Sequence, residues 1–293
     1  MTYIIETERL TKIYGKVTVL NGIGISLEAG KIYGLLGRNG AGKTTLMKIL
    51  TAQVFADEGS IKIFGESPYE NRRVLRQICF TRVDQKYPEG FTVRDVLEVS
   101  ASFFPFWDAE YASFLLEGFL LPPGRRIKAL SQGMRSAVGA VVGLASRAPL
   151  TILDEPSMGL DVVSRDLFYK QLLEDYAEHP RTILLSTHLI DEVSRLLEHV
   201  IVLDRGQILL NEEADRLRAQ AFTVTGIQDH IASFSENKTV IGSEQFGQLG
   251  SATIFGKVET EDRKKASELG LEFSPVSLQQ LIVHMTNGKA GAV

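Results

Sequence analysis

The residues with the clearest chemical potential are Gly37-Arg38-Asn39-Gly40-Ala41-Gly42-Lys43-Thr44, which fit the spacing G-x-x-x-x-G-K-[ST]. Glycines let a short loop fold tightly, so several backbone N–H groups converge on one anion at the positive end of the helix that follows. In such a loop the ammonium of Lys43 reaches the β- and γ-phosphates of a nucleotide, and the hydroxyl of Thr44 faces Mg²⁺. Farther along, the apolar run Leu150-Thr151-Ile152-Leu153 ends in Asp154-Glu155. Strand ends of this kind are where open α/β sheets place ligand chemistry. Read alone, two such carboxylates would also fit a surface turn. With a phosphate loop upstream, they suit phosphoryl chemistry: Asp154 holding Mg²⁺ through water, Glu155 polarising an attacking water.

These groups need elements to carry them. Lys31-Ile32-Tyr33-Gly34-Leu35-Leu36 reads as a buried strand entering the loop, and Thr45-Leu46-Met47-Lys48-Ile49-Leu50 as the helix leaving it. Before them, Tyr3 to Glu6, Thr18 to Leu20 and Gly24 to Leu27 read as short strands of an antiparallel edge sheet. From Lys31 onward apolar strands alternate with helices, which predicts a mostly parallel sheet covered on both faces, with later strands at 150–153, 182–185 and 200–203. A mostly helical insertion is predicted over about 92–148, broken by the loop signal Pro122-Pro123-Gly124. Beyond a charged helix at 212–220 the tail reads strand, helix, strand, strand, helix, strand, an order that resembles a ferredoxin-like module, followed by a last helix opening on Ser277-x-x-Gln280. The predicted organisation is therefore a domain over 1–220 and a small α+β module over 221–293.

Composition narrows the class. A chain of 293 residues with 44% hydrophobic content can build ordinary cores. A formal net charge of -4 argues against nucleic acid as the main ligand. The one cysteine, Cys79, excludes an intrachain disulfide framework and fits a reducing compartment. Met1 to Arg9 lacks the basic start and apolar core of a signal peptide, and the uncharged stretch Ser136–Ser146 is too short to span a bilayer. The expectation is a cytosolic chain whose membrane role, if it has one, runs through a partner.

Leu130-Ser131-Gln132-Gly133-Met134, shortly before the carboxylate strand, supplies a family resemblance. With the phosphate loop and Asp154-Glu155, it resembles the signature segment, commonly LSGGQ, of the ATP-binding subunits of ABC transporters. Gln132 and Met134 depart from that pattern, while the leucine, serine and second glycine are kept. On its own, Ser131 would be a plain helix cap. The resemblance covers about 1–220 and implies an α/β fold: a P-loop NTPase core with a mixed sheet, an antiparallel edge sheet and a helical subdomain. It implies ATP and Mg²⁺ as ligands, with Gly37, Asn39, Gly40, Ala41, Gly42, Lys43, Thr44 and Thr45 around the phosphates.

By the same resemblance, Ser131 and the Gly133 amide would bind the γ-phosphate held by a second subunit, and Tyr14 would stack on adenine. Asp161, in Ser157-Met158-Gly159-Leu160-Asp161, would lie at the dimer interface. His188, in Ser186-Thr187-His188, would contact the γ-phosphate and organise the water beside Glu155 and Lys43. A glutamine contacting Mg²⁺ is also implied; Gln85 offers one, although a gapless comparison puts Val83 there. Without the resemblance, Tyr14 reads as a packed aromatic, Asp161 as a helix cap and His188 as a structural histidine. The insertion and the Leu130–Met134 variant look most like Gram-positive export ATPases for antimicrobials, toxins or small peptides.

The function these features imply is that of an ATP-hydrolysing motor subunit in a head-to-tail dimer, as homodimer or heterodimer with a related ATPase. It would act on transmembrane permease subunits at the cytoplasmic face, most simply in export. A soluble ATP-gated regulatory factor, or one acting on ribosomes or DNA, is the alternative, although such chains usually carry two ATPase units or a long coiled-coil insertion.

Overall fold

The computed structural model describes residues 3–288. The chain opens with a long hairpin, β1 (Tyr3–Tyr14) and β2 (Val17–Glu28), turned at Gly15, whose φ of 61° suits glycine. Three short strands are predicted over this stretch and two long ones form, because register shifts in the ladder absorb the breaks in alternation. β3 (Ile32–Leu36) and α1 (Lys43–Leu50) flank the glycine loop, and β4 (Glu58–Ile63) returns to pair antiparallel with β1, giving a sheet of order β2-β1-β4.

A short α2 (Arg72–Leu75) and β5 (Ile78–Arg82) lead into the insertion, where α3 (Val93–Phe103) and α4 (Ala109–Gly118) form. α3 starts with a capping box between Thr92 and Asp95, and Asp108 caps α4. α5 (Gln132–Ala145) buries every residue from Ser136 to Ala145, so the stretch without charge is a core helix. β6 (Leu150–Asp154), α6 (Val162–Glu178) and β7 (Thr182–Thr187) follow, then α7 (Ile190–Val193), β8 (His199–Asp204) and β9 (Gln207–Glu213). The strand order is β5-β6-β7-β3-β8-β9, with β5, β6, β7 and β3 parallel neighbours in turn. β3, β6 and β7 are buried along their full length, as strands covered on both faces must be. Leu35, Leu46, Ile49, Ile152, Leu184 and Leu203 belong to one apolar cluster that fixes the loop-bearing helix against the sheet.

α8 (Ala214–Arg218) is shorter than the predicted helix because Glu212 and Glu213 extend β9. The tail folds as β10 (Ala221–Ile227), α9 (Gln228–Ser235), β11 (Thr239–Phe246), β12 (Leu249–Phe255), α10 (Thr260–Glu268), β13 (Glu272–Pro275) and α11 (Leu278–Gly288). Its antiparallel sheet has the order β11-β12-β10-β13, so the first strand lies between the third and fourth, the arrangement of a split βαβ module. Phe222, Val224, Phe234 and Ile254 are central to its core, with Phe222 and Phe234 meeting edge to face at 6.5 Å. The hydroxyl of Ser277 accepts the Gln280 N–H at the start of α11.

By contacts the chain forms two compact units. One holds residues up to His188 together with Ile201–Asn211, and the other holds Leu189–Val200 and the residues from Glu212 onward.

Candidate nucleotide site

The glycine loop is shaped by close approach. Gly37 (φ 153°) has no room for a Cβ, which would fall 2.1 Å from the Leu203 carbonyl oxygen. Gly42 (φ 109°) stands at the N-cap of α1, and a Cβ there would lie 2.7 Å from Leu20 Cδ2 and 2.9 Å from the Val19 carbonyl oxygen. The backbone therefore passes where side chains cannot, and the first-turn amides of α1 stay available to an anion. Gly40, with Asn39, forms the exposed crest, and Ala41 is buried beneath it. Thr45 is half-buried in the first turn.

Lys43 is buried, and its ammonium donates to the Gly37 carbonyl at 2.7 Å and lies 3.9 Å from Glu155 Oε1. Burial lowers the pKa of Lys43 below the ordinary lysine value, and the carboxylates of Glu155 and Asp154 partly offset that effect. The hydroxyl of Thr44 donates to Asp154 Oδ2 at 2.7 Å. Asp154 Oδ1 accepts from the hydroxyl of Ser186 at 2.5 Å. Glu155 sits at φ 52°, in the left-handed region that a glutamate seldom occupies, and its Oε2 lies 2.8 Å from Nδ1 of His188. Loop, β6 and the end of β7 thus bring Lys43, Thr44, Asp154, Glu155 and His188 into one connected set.

Hard oxygen donors, one hydroxyl and one carboxylate already adjacent, suit Mg²⁺ shared with substrate phosphates better than an all-protein cage. No cluster of three or more metal-ligating His, Cys, Asp or Glu occurs among the described residues. Gln85 lies outside the connected set and lines a separate cavity of about 390 Å³ with Cys79, Tyr87 and Phe91. Val83 instead borders Pro156, the residue after Glu155, together with Ser136 and Gly139. Cys79 is buried, and burial pushes its thiol up to about 11, so it is a packing residue.

The signature-like segment is built differently. Ser131 caps α5, its exposed hydroxyl accepting the Met134 N–H at 3.2 Å. Gly133 packs so closely that a Cβ would stand 2.7 Å from the Gly159 carbonyl oxygen. Ser136 donates to the Met158 carbonyl at 2.8 Å, and the buried hydroxyls of Tyr169 and Ser157 meet at 2.9 Å. These contacts lock the start of α5, and α6 through Tyr169, to the loop over 156–161, where exposed Asp161 caps α6 through the Ser164 N–H at 2.8 Å. That backbone N–H holds the Asp161 carboxyl below its usual pKa. Tyr14 stands 46% exposed at the hairpin end, with the Lys12 amine 5.2 Å from its ring centre. Asp57 fixes that end by accepting from Lys12 at 3.1 Å and from the Ile13 N–H at 2.6 Å.

The sequence pattern alone points to no role for Ser186, Ser136 or Asp57. The available signal for Ser186 was a hydroxyl interrupting an apolar strand one step before Thr187-His188. For Ser136 and Asp57 the pairing is long-range and had no local signal.

Comparison with known proteins shows the chain's relatives. The family model described as ABC transporter matches residues 20–158. The bacitracin transport ATP-binding protein BcrA of Bacillus licheniformis is 30% identical over 248 residues, covering 84% of this chain and 80% of that protein. The lantibiotic transport ATP-binding protein SrtF of Streptococcus pyogenes is 32% identical over 213 residues, covering 72% of this chain and 92% of that protein. The ABC transporter ATP-binding protein YtrB of Bacillus subtilis (strain 168) is 25% identical across 98% of this chain and 99% of its own length. A solved ATP-binding subunit of an ABC transporter superposes with a TM-score of 0.66 at 27% identity, covering 74% of this chain and 92% of that one. The chain belongs to the ABC transporter family, as an ATP-binding subunit with ATPase activity.

Proposed function

We propose that this ATPase subunit powers a membrane exporter by closing on ATP as a head-to-tail pair and reopening after hydrolysis. The observation that carries the reading is the connected set of Lys43, Thr44, Asp154, Glu155 and His188 beneath a glycine loop. Lys43 and the amides of residues 40–45, between them the backbone of Gly40, Ala41, Gly42, Thr44 and Thr45, bind the phosphates. Tyr14 stacks on the base. Thr44 and Asp154 would hold Mg²⁺, which would neutralise charge on the β- and γ-phosphates, while Gln85, in its separate cavity, is not brought to them. Glu155, oriented by His188, accepts a proton from the water that attacks the γ-phosphorus, while the bond to the ADP oxygen breaks. Products are ADP and phosphate.

Ser131, the Gly133 amide and Asp161 act on the nucleotide held by a second ATPase chain, either another copy or a related one. ATP drives the partner because it binds the closed pair better than the open chains, and hydrolysis removes that preference. The permease supplies the membrane path: no helix among the described residues is long and apolar enough to cross a bilayer. The subunit then lies at the cytoplasmic face. A cargo of antimicrobial or small-peptide character is favoured by the bacitracin and lantibiotic transport in the names of BcrA and SrtF, and export by the resemblance to Gram-positive export ATPases. Residues 1–220 are taken as the ATPase domain, with the helical subdomain at about 92–148, and 221–293 as an accessory domain. Nucleic acid is not among the proposed partners.

The test is purification of tagged Glu155→Gln protein from detergent-solubilised cells of its own source, with ATP present. Stoichiometric recovery of one or two polytopic membrane chains supports the motor-subunit reading. Recovery of ribosomes or DNA-associated proteins without a membrane chain would replace it with the soluble factor.

A further inference from the structure

Ser186 lies on β7 directly across the parallel ladder from Asp154, fully buried after the apolar run Ile183-Leu184-Leu185. A buried hydroxyl needs partners, and this one has two that belong to the candidate chemistry. It donates to Asp154 Oδ1 at 2.5 Å, and it accepts the backbone N–H of Glu155 at 3.0 Å. The Ser186 carbonyl lies 3.1 Å from the same Glu155 N–H, so that amide is shared between two acceptors on one residue. The other oxygen of Asp154 is already engaged by Thr44. Ser186 and Thr44 together therefore fix how the Asp154 carboxylate is rotated, Ser186 from the strand that leads into His188.

The left-handed backbone of Glu155 is a conformation of a kind that persists only where surrounding structure over-determines it. Three contacts do that here. The amide is held by Ser186, the carbonyl accepts the Met158 N–H at 3.0 Å, and the side chain meets His188. Ser186 on β7 and His188 just beyond its end thus grip adjacent carboxylates: Ser186 through Asp154 and the Glu155 backbone, His188 through the Glu155 carboxylate.

We infer that Ser186 is a positioning residue for ATP hydrolysis, fixing the Asp154 carboxylate and the strained Glu155 turn in the geometry that turnover requires. This rests on the proposed roles of Asp154 and Glu155. An alanine there leaves Asp154 Oδ1 without its donor while the strand pairing of β6 and β7 is preserved. Loss of one hydrogen bond to a charged group corresponds to about a tenfold to hundredfold change when its effect falls on the transition state.

The experiment is a kinetic cycle on the full chain with Ser186→Ala, Ser186→Thr, Glu155→Gln and the double variant Glu155→Gln/Ser186→Ala, alongside ATP binding measured in EDTA and in Mg²⁺. We expect kcat of Ser186→Ala to fall about tenfold to hundredfold, with KM and EDTA binding changed by less than about threefold. Ser186→Thr, which keeps the hydroxyl, should recover most of the turnover. The double variant should be no slower than Glu155→Gln alone, because both act through one unit. Wild-type kcat in Ser186→Ala, or a loss in the double variant equal to the product of the single losses, would overturn the inference. If Ser186→Ala fails to fold, recovery of kcat by Ser186→Thr supports the inference and a soluble Ser186→Thr protein without turnover contradicts it. Should Glu155→Gln itself turn over normally, the site reading fails instead, and the two failures are told apart.

Discussion

The phosphate loop and the signature-like segment belong to the same compact unit, yet they are finished to different degrees. Around Lys43 the groups already engage one another: ammonium to glycine carbonyl, threonine to aspartate, aspartate to serine, glutamate to histidine. Around Ser131 the contacts serve only the segment's own shape, a cap on α5 and a close fit of Gly133 against Gly159. The exposed hydroxyl of Ser131 and the exposed carboxylate of Asp161 engage amides of their own first turns. In the proposed reading, one region is a nearly complete half-site and the other is a shaped surface whose chemistry needs a counterpart. This asymmetry is what the proposed head-to-tail pairing exploits.

The comparison breaks most sharply at Glu155. Glu155→Gln should keep ATP binding and lower turnover by about a hundredfold to ten-thousandfold, read from steady-state phosphate release. Normal turnover would remove Glu155 from the proposed role. Lys43→Ala should weaken ATP binding by about tenfold to a hundredfold in a titration of the isolated chain. Ser131→Ala sharpens the contrast, since it should lose about 1 kcal/mol of stability as a lost cap, leave ATP binding to the isolated chain unchanged, and still depress turnover of the assembled transporter. If it weakened ATP binding to the isolated chain, the two regions would not be the separate halves proposed here.

Smaller effects probe the edges. Tyr14→Ala should raise KM for ATP by about twofold to tenfold, the worth of an aromatic stack, with kcat unchanged. Asp161 carries a pH signature of defined sign. Its folded pKa lies below the ordinary 3.8, so the cap's contribution is full above that value and is lost as pH falls through the lower folded one. Asp161→Asn, which keeps an oxygen for the cap, should flatten that part of the acid-unfolding profile and leave neutral-pH stability nearly unchanged.

Local chemistry made the loop, the strand ends and the insertion readable. The glycine spacing, the all-apolar strands and the caps at Thr92 and Asp108 are dictated by neighbours in sequence. Long-range pairing was not readable. Two long bulged strands stand where three short ones were expected, because a bulge depends on its partner's register. Ser186 shows the same limit at the site: its hydroxyl matters only because the parallel ladder sets it opposite Asp154. Gln85 and Val83 illustrate a third case, in which two nearby residues compete for one role and backbone placement sends them to different cavities.

The central claim is that each ATP is enclosed by the Lys43 half-site of one chain and the Ser131 surface of another. The most direct test is native mass spectrometry of Glu155→Gln complexes purified with ATP, counting ATPase chains and nucleotides per particle. Two ATPase chains, identical or related, with two ATPs and a membrane subunit are expected. A stable particle holding ATP on a single ATPase chain, with no second chain at any nucleotide concentration, would contradict it.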